Sequence, residues 1–197
     1  MRFIKDCERA VGQKIEVLKS SEYRCVEDCV SVFGGFRDVR NGFAPCTNWL
    51  KKRVRKEWEE QHRNCELTYV WGFDLKEKDR AERTVEANPQ AEHEFPLIEK
   101  NLSKEEVHGL FERTFSFPRP AMYDMGYPNN NCIGCVKGGM GYWNRIRKDF
   151  PEVFESRANL ERKVGHTILK DKNGPVYLDE LDPGRGDMNT EIFPDCG

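Results

Sequence analysis

A Cys-x-x-Cys pair set in a turn constrains this chain most. Cys132 and Cys135 follow three asparagines and precede a glycine cluster, within the stretch from Asn129 to Trp143. Asparagine and Gly134 accept the left-handed backbone that a tight turn needs, and the later glycines let backbone amides approach an anion or a metal cluster. Cysteines at this spacing serve redox pairs, structural zinc and iron–sulfur clusters. The stretch is therefore a candidate site rather than a core segment.

Composition limits the class of protein. A chain of 197 residues suits one compact domain, or one domain with a small appendage. The net charge of -2 gives no general attraction to nucleic acid or anionic membranes. No run approaches the ~18 apolar residues of a membrane span, and no apolar signal segment begins the chain, which predicts a cytoplasmic protein. Eight cysteines in such a chain favour metal binding or catalysis over a disulfide framework.

Helix and strand patterns alternate along the chain, which predicts an α/β fold. The predicted helices are 3–11, 22–33, 46–62, 76–87, one from 103, 142–150 and 151–164, the extended segments are 15–18, 67–73, 94–98 and 176–178, and 118–131 is a loop. Residues 1–115 are expected to form a partial α/β domain. Residues 116–197 are expected to form a Cys-x-x-Cys lobe with an irregular tail, packed with it as one unit.

Cys46, Thr47 and Lys51 open a basic helix after a loop that contains glycine and proline. A helix N-terminus carries about half a positive charge, which attracts anions and lowers the pKa of a thiol. The three side chains would then meet at one point suited to an anion. The alternative is a buried cysteine beside an N-cap threonine, with the lysines solvated.

Asp74, Glu77 and Arg80 follow the strongest predicted strand. In open α/β sheets the ligand crevice lies at such strand ends, and a carboxylate with an arginine one turn later can fix a ribose or a phosphate. The alternative is an N-cap aspartate followed by a surface ion pair between Glu77 and Arg80.

Tetrahedral coordination at the Cys-x-x-Cys pair needs two further ligands. Cys46 and Cys196 are candidates because each lies in a loop-like context. Cys25 and Cys29 lie one helical turn apart and are also able to face one metal, although cysteine on the inner side of a helix is usually only packed.

Nucleic-acid binding is a separate hypothesis for the aromatic and basic residues. The stretch from Tyr142 to Lys148 offers rings for stacking, and basic residues cluster between Lys51 and Lys56. The alternative for the first stretch is a helix that buries its rings and exposes its charges to water.

In this order, the motifs resemble the phosphoadenosine phosphosulfate (PAPS) reductase family of the PP-loop, or adenine nucleotide alpha-hydrolase-like, superfamily. The resemblance is to its stand-alone bacterial and phage members and covers roughly residues 1 to 165. It is carried by Phe3-Ile4-x-x-Cys7-Glu8 to Leu18, Cys46-Thr47-x-x-Leu50-Lys51, Gly72-x-x-x-x-Glu77-x-x-Arg80, Phe95-Pro96-Leu97-Ile98 and Asn131-Cys132-x-x-Cys135 to Glu152.

This resemblance implies a doubly wound, Rossmann-like sheet that binds an adenine nucleotide or sulfonucleotide, with sulfur-transfer, nucleotidyl-transfer or reductive chemistry. It implies that Cys46 and Lys51, with Thr47, line the substrate side. Glu77 and Arg80, preceded by Asp74, would lie beside the nucleotide.

It also implies that Cys132 and Cys135 serve a 4Fe-4S cluster or a zinc ion in a helical C-terminal lobe. The family's phosphate-gripping loop, Ser-Gly-Gly-x-Asp-Ser, has no counterpart in this sequence, and residue 1 aligns after the second strand. We therefore expect a truncated sheet, completed by an upstream segment or a protein partner; a homodimer is also open. Two alternatives remain, a catalytically inactive, metal-stabilised interaction module and a single-stranded nucleic-acid binder.

Overall fold

The computed structural model describes residues 2–38 and 42–191. They form two compact units that interleave along the chain. Unit 1 contains the residues up to Glu16 and the range Gln61–Tyr127, and unit 2 contains Val17–Glu60 and the chain from Pro128 onward. The predicted division after residue 115 differs from this arrangement, because residues 116–127 stay with unit 1 while the Cys-x-x-Cys segment joins residues from the first third of the chain.

Short helices outnumber strands in both units, and the mixed helix-and-strand character expected from the sequence is confirmed. In chain order the elements are α1 (Arg2–Val11), α2 (Val26–Phe33), α3 (Pro45–Thr47), a π-helical turn (Asn48–Lys52), α4 (Arg53–Gln61), β1 (Thr68–Val70), a 3₁₀ turn (Leu75–Glu77), α5 (Lys78–Ala87), β2 (Glu92–Glu94), α6 (Pro96–Glu99), α7 (Lys104–Thr114), α8 (Ala121–Asp124), α9 (Met140–Asp149), α10 (Pro151–Val164), β3 (Leu169–Asp171), β4 (Gly174–Val176) and a second 3₁₀ turn (Leu178–Glu180).

Helix ends follow the local signals in the sequence. The Ser103 hydroxyl accepts a hydrogen bond from the Glu106 amide at 3.3 Å, and the Glu106 carboxylate accepts one from the Ser103 amide at 2.8 Å, so a capping box begins α7. Pro151 occupies the first turn of α10, and Gly165 ends that helix in a left-handed conformation. The predicted helix start near residue 103 and the predicted helix 151–164 are confirmed.

The sheet of unit 1 contains two parallel strands, with Tyr69 of β1 opposite His93 of β2. Aromatic rings line one face of it, because alternate residues of a strand point the same way. The rings of Trp71, Phe73 and Phe95 continue this face. The Trp71 indole Nε1 donates a hydrogen bond to His93 Nδ1 at 2.9 Å, which fixes the two rings against each other.

Two predictions of extended structure and one of irregular structure are wrong. Residues 15–18 form no strand, and Ile15, Val17 and Leu18 are exposed, because no neighbouring strand pairs with them in the described part of the chain. The segment 94–98 is the end of β2 followed by α6. The tail, predicted to be irregular apart from 176–178, contains an antiparallel hairpin of β3 and β4.

In unit 2 the consecutive helices α9 and α10 pack against each other, and Pro151 begins the second of them. Trp143 and Ile146 on α9 are fully buried. A core cluster joins α2 to α10 and consists of Val30, Phe36, Ala44, Val136 and Leu160. Within residues 2–38 and 42–191, no helix has the length and apolar character needed to cross a bilayer.

Candidate functional site

The Cys-x-x-Cys turn in unit 2 is held closed by one tyrosine. The Tyr142 hydroxyl donates a hydrogen bond to the Cys132 carbonyl and accepts one from the Cys135 amide, both at 3.0 Å. Cys132 is exposed, whereas Cys135 is 6% exposed. Gly134 between them has a φ of 71°, a conformation that favours glycine. The turn therefore presents one thiol to solvent and keeps the other inside.

Tyr142 lies in the first turns of α9 and is itself buried. Burial raises the pKa of its hydroxyl to about 12, because a buried phenolate would lose its hydration. The hydroxyl therefore keeps its proton at neutral pH and is able to act as donor and acceptor at once.

Arg157 of α10 ties the turn to helix α2. Its side chain is buried, and its Nε donates to the Gly134 carbonyl at 3.4 Å while its guanidinium pairs with the Glu27 carboxylate. Burial raises the pKa of Glu27, but the main-chain amide and the Arg157 charge outweigh it and hold the pKa below its usual value. The ion pair is therefore present at neutral pH. Glu27 also interacts with the thiol of Cys25, whose pKa is raised by burial.

Cys46 and Lys51 lie in the same unit as the Cys-x-x-Cys turn. Cys46 is half-buried and packs against the cluster that contains Val136, the residue after Cys135. Thr47 is buried and caps no amide with its side chain, so its predicted alternative role as an N-cap is wrong. Lys51 is exposed in the π-helical turn that follows, where a straight α-helix was predicted. Such turns are frequent at functional sites.

Cys29 behaves as a packed core thiol. It is fully buried beside Val30 on α2. Burial, followed by the nearby Cys46, raises the pKa of Cys29 to about 11. A thiol with this pKa is almost entirely protonated at neutral pH and is a poor nucleophile.

Asp74, Glu77 and Arg80 lie in unit 1 and bind one another. The Asp74 carboxylate accepts from the Lys76 amide at 2.8 Å, and the Glu77 carboxylate accepts from the Asp74 amide at 3.1 Å. The Arg80 guanidinium pairs with Glu77 at 2.6 Å and lies 4.1 Å from the centre of the Phe73 ring. This is the arrangement of the alternative interpretation, an N-cap followed by an ion pair.

The described residues hold no group of three or more histidine, cysteine, aspartate or glutamate side chains placed to bind one metal. Cys132 and Cys135 supply two thiols, and Cys196 lies outside the range that the structure describes. Within residues 2–38 and 42–191, the structure brings no third side chain of these four types to the two thiols.

The helix from Tyr142 to Lys148 uses its aromatic residues inside unit 2. Trp143 and Ile146 are fully buried, and the Arg147 guanidinium donates to the carbonyls of Leu178 and Leu181 at 3.0 and 2.7 Å. The geometry corresponds to the alternative of a packed helix rather than to a platform for nucleic-acid bases.

Sequence reasoning missed Arg157 and Glu27 as site residues, and it interpreted Tyr142 only as part of an aromatic stretch for nucleic-acid binding. Their contacts with the Cys-x-x-Cys segment depend on the packing of α2, α9 and α10. No residue spacing within the sequence predicts this packing. The only available signal was the position of Tyr142 in the first turn of the helix that follows the glycines.

No protein-family model, curated protein or solved structure matches this chain in the comparisons.

Proposed function

We propose that this chain is a PAPS reductase-like protein that binds an adenine nucleotide or sulfonucleotide and takes part in sulfur-transfer, nucleotidyl-transfer or reductive chemistry. The observation that carries the proposal is the packing of Cys46 on the core cluster that includes Val136, next to Cys135. Thiols separated by about ninety residues of sequence thus belong to one compact unit. The parallel pairing of β1 and β2 supports the doubly wound sheet that this proposal includes.

The proposed roles follow from charge and exposure. Cys46 is the candidate nucleophile, and Lys51 offers an exposed positive charge five residues later to an anionic sulfonucleotide. Glu77 and Arg80 are engaged with each other, so a nucleotide that binds there exchanges this ion pair for contacts of its own. An upstream segment or a protein partner would supply the phosphate-gripping loop.

Thermal unfolding in the presence of adenylates tests the proposal. At a ligand concentration 100 times the dissociation constant, the free energy of unfolding should rise by about 2.7 kcal/mol. The charge-removing variant Lys51→Ala should weaken this stabilisation, whereas Lys148→Ala, an exposed lysine of the same unit, should not. If ATP, PAPS and related adenylates all leave the midpoint unchanged, the proposal fails.

A second candidate function is an inactive interaction module stabilised by a metal at the Cys-x-x-Cys turn. The observation in its favour is that Tyr142 and Arg157 hold the turn in a defined shape. Protein purified without oxygen should then contain iron and sulfide, or zinc, and Cys132→Ser should lose it. Chelation should unfold the protein. A metal-free protein of full stability would contradict this candidate.

A further inference from the structure

A tail strap, defined here as residues 182–191, lies along helix α9. The Asn144 side-chain amide donates to the carbonyls of Asp182 and Arg185 at 2.9 and 2.7 Å. The strap reaches the N-terminal end of α9, where the helix has free backbone amides. Residues at the end of the described chain are thereby brought to the segment that follows Cys135.

Glycines make this close approach possible. A Cβ atom at Gly141 would lie 2.3 Å from the Met188 nitrogen, and one at Gly186 would lie 2.3 Å from the Gly141 nitrogen. Both distances are far below van der Waals contact, and the atoms concerned are backbone. The glycine cluster thus provides a surface on which the strap backbone rests directly.

The strap ends in a carboxylate placed on the helix. Glu191 accepts hydrogen bonds from the Gly141 amide at 2.5 Å and from the Tyr142 amide at 3.0 Å. Negative charge is favoured at a helix N-terminus, and hydrogen bonds to an ionised acceptor are stronger than neutral ones. Glu191 therefore fixes the backbone position of Tyr142.

The same tyrosine closes the Cys-x-x-Cys turn through its hydroxyl, which contacts the Cys132 carbonyl and the Cys135 amide. Glu191 thus holds the backbone of Tyr142, and the Tyr142 hydroxyl holds the backbone of Cys132 and Cys135, the residue with the buried thiol. We propose that the tail strap is a latch on the thiol pair, with Glu191 and Tyr142 as positioning residues: the seated strap keeps Cys135 inside, and release of the strap opens the turn and exposes it. This control of thiol access does not depend on the ligand of the proposed function.

The test measures thiol reactivity residue by residue in the full-length, reduced, chelator-treated protein. Each cysteine is alkylated with iodoacetamide, and its modification rate is read by mass spectrometry. In Glu191→Ala the rate at Cys135 should rise about tenfold, because losing a charge-assisted hydrogen bond shifts a local opening equilibrium by roughly this factor. The rates at Cys29, buried in unit 2, and Cys65, exposed in unit 1, should stay unchanged.

The alkylation rate of Cys29 distinguishes a latch from a general loss of stability in unit 2. If Cys29 and Cys135 become reactive together, Glu191 only stabilises unit 2 as a whole and the proposal is overturned. An unchanged rate at Cys135 overturns it as well. Glu191→Gln, which keeps an oxygen acceptor, should give an intermediate rate. Asn189→Ala changes an exposed strap residue and should behave like the unaltered protein.

Tyr142→Phe tests whether Glu191 acts on Cys135 through Tyr142. It also tests the proposal if Glu191→Ala fails to fold. It removes the hydroxyl and leaves the strap contacts in place, and the rate at Cys135 should rise as in Glu191→Ala. Glu191 acts on Cys135 through Tyr142. The alkylation rate of Cys135 in the variant with both changes should therefore not exceed the rate in Tyr142→Phe alone. Independent, multiplying effects of the two changes would exclude coupling through Tyr142.

Discussion

Glu161 is a fully buried carboxylate that serves as a structural acceptor. It accepts hydrogen bonds from the amides of Ile168 and Leu178, both at 2.6 Å. These bonds join helix α10 to the start of the hairpin and to the turn beyond it. Burial nevertheless raises the pKa of Glu161 above the usual 4.5, because an ionised carboxylate loses more hydration than a neutral one.

We expect Glu161→Gln to lower the free energy of unfolding by about 1–3 kcal/mol, because one amide N–H would face another donor. The loss should depend on pH. The pKa of Glu161 in the folded protein is raised above 4.5, so protonation of Glu161 stabilises the folded protein. This contribution to the free energy of unfolding is fully present below about pH 4.5 and is lost as the pH rises through the folded pKa. Urea unfolding should show that the free energies of unfolding of the unaltered protein and Glu161→Gln approach each other as the pH rises from 4.

The exposed Glu155 on the same helix is the control. Glu155→Gln should leave both stability and its pH dependence unaltered. A Glu161→Gln difference that grows with pH would show that the hydrogen bonds to the ionised form outweigh burial.

At the scale of single elements, helix α7 illustrates how much a local signal determines. The capping box of Ser103 and Glu106 satisfies backbone amides that the helix leaves free. Ser103→Ala should therefore cost about 1 kcal/mol of stability, measured by chemical unfolding. Ser116→Ala, an exposed serine of the same unit, should cost nothing measurable, and equal effects of the two changes would mean that the cap is not stabilising.

Elements defined by local chemistry could be predicted from the sequence, and elements that need a distant partner could not. The ends of α7 and α10 depend on capping residues, proline and glycine within a few positions. Residues 15–18 have a strand-like composition, but a strand forms only where another strand pairs with it. The π-helical turn at Asn48–Lys52 breaks a helix whose sequence pattern is continuous.

The same distinction applies to the candidate site. The Cys-x-x-Cys turn was visible because its glycines and thiols are adjacent, whereas Glu191 lies fifty residues from Gly141 along the chain. For Asp74 and its neighbours, the sequence allowed both a ligand site and an N-cap. The structure shows the hydrogen bonds of the N-cap, which Asp74 and Glu77 make with nearby backbone amides. These short-range contacts satisfy the side chains without a ligand.

At the scale of the whole molecule, unit 2 joins two stretches of chain that are far apart in sequence. The ion pair between Arg157 and Glu27 spans 130 positions, and the core cluster includes Val30 and Leu160. Because cooperative units open together, a substitution that lowers the stability of unit 2 as a whole should be felt in helix α2, unlike the local opening of the turn that release of the tail strap allows. Gly134 is the position to disturb, since a Cβ there would lie 2.6 Å from Val153 Cγ1.

Gly134→Ala should lower stability by about 1–3 kcal/mol through steric overlap, in addition to about 1–2 kcal/mol for a left-handed alanine. Gly165→Ala is the matched control, because Gly165 has a φ of 69° and open space at Cβ. It should show only the cost of a left-handed alanine, without steric overlap. Hydrogen exchange should accelerate in 17–38 and 128–191 together in Gly134→Ala, and stay unchanged in 61–127. Acceleration confined to 128–164 would mean that the two stretches of unit 2 do not open as one body, since the Arg157–Glu27 contact would then fail to carry the disturbance to α2.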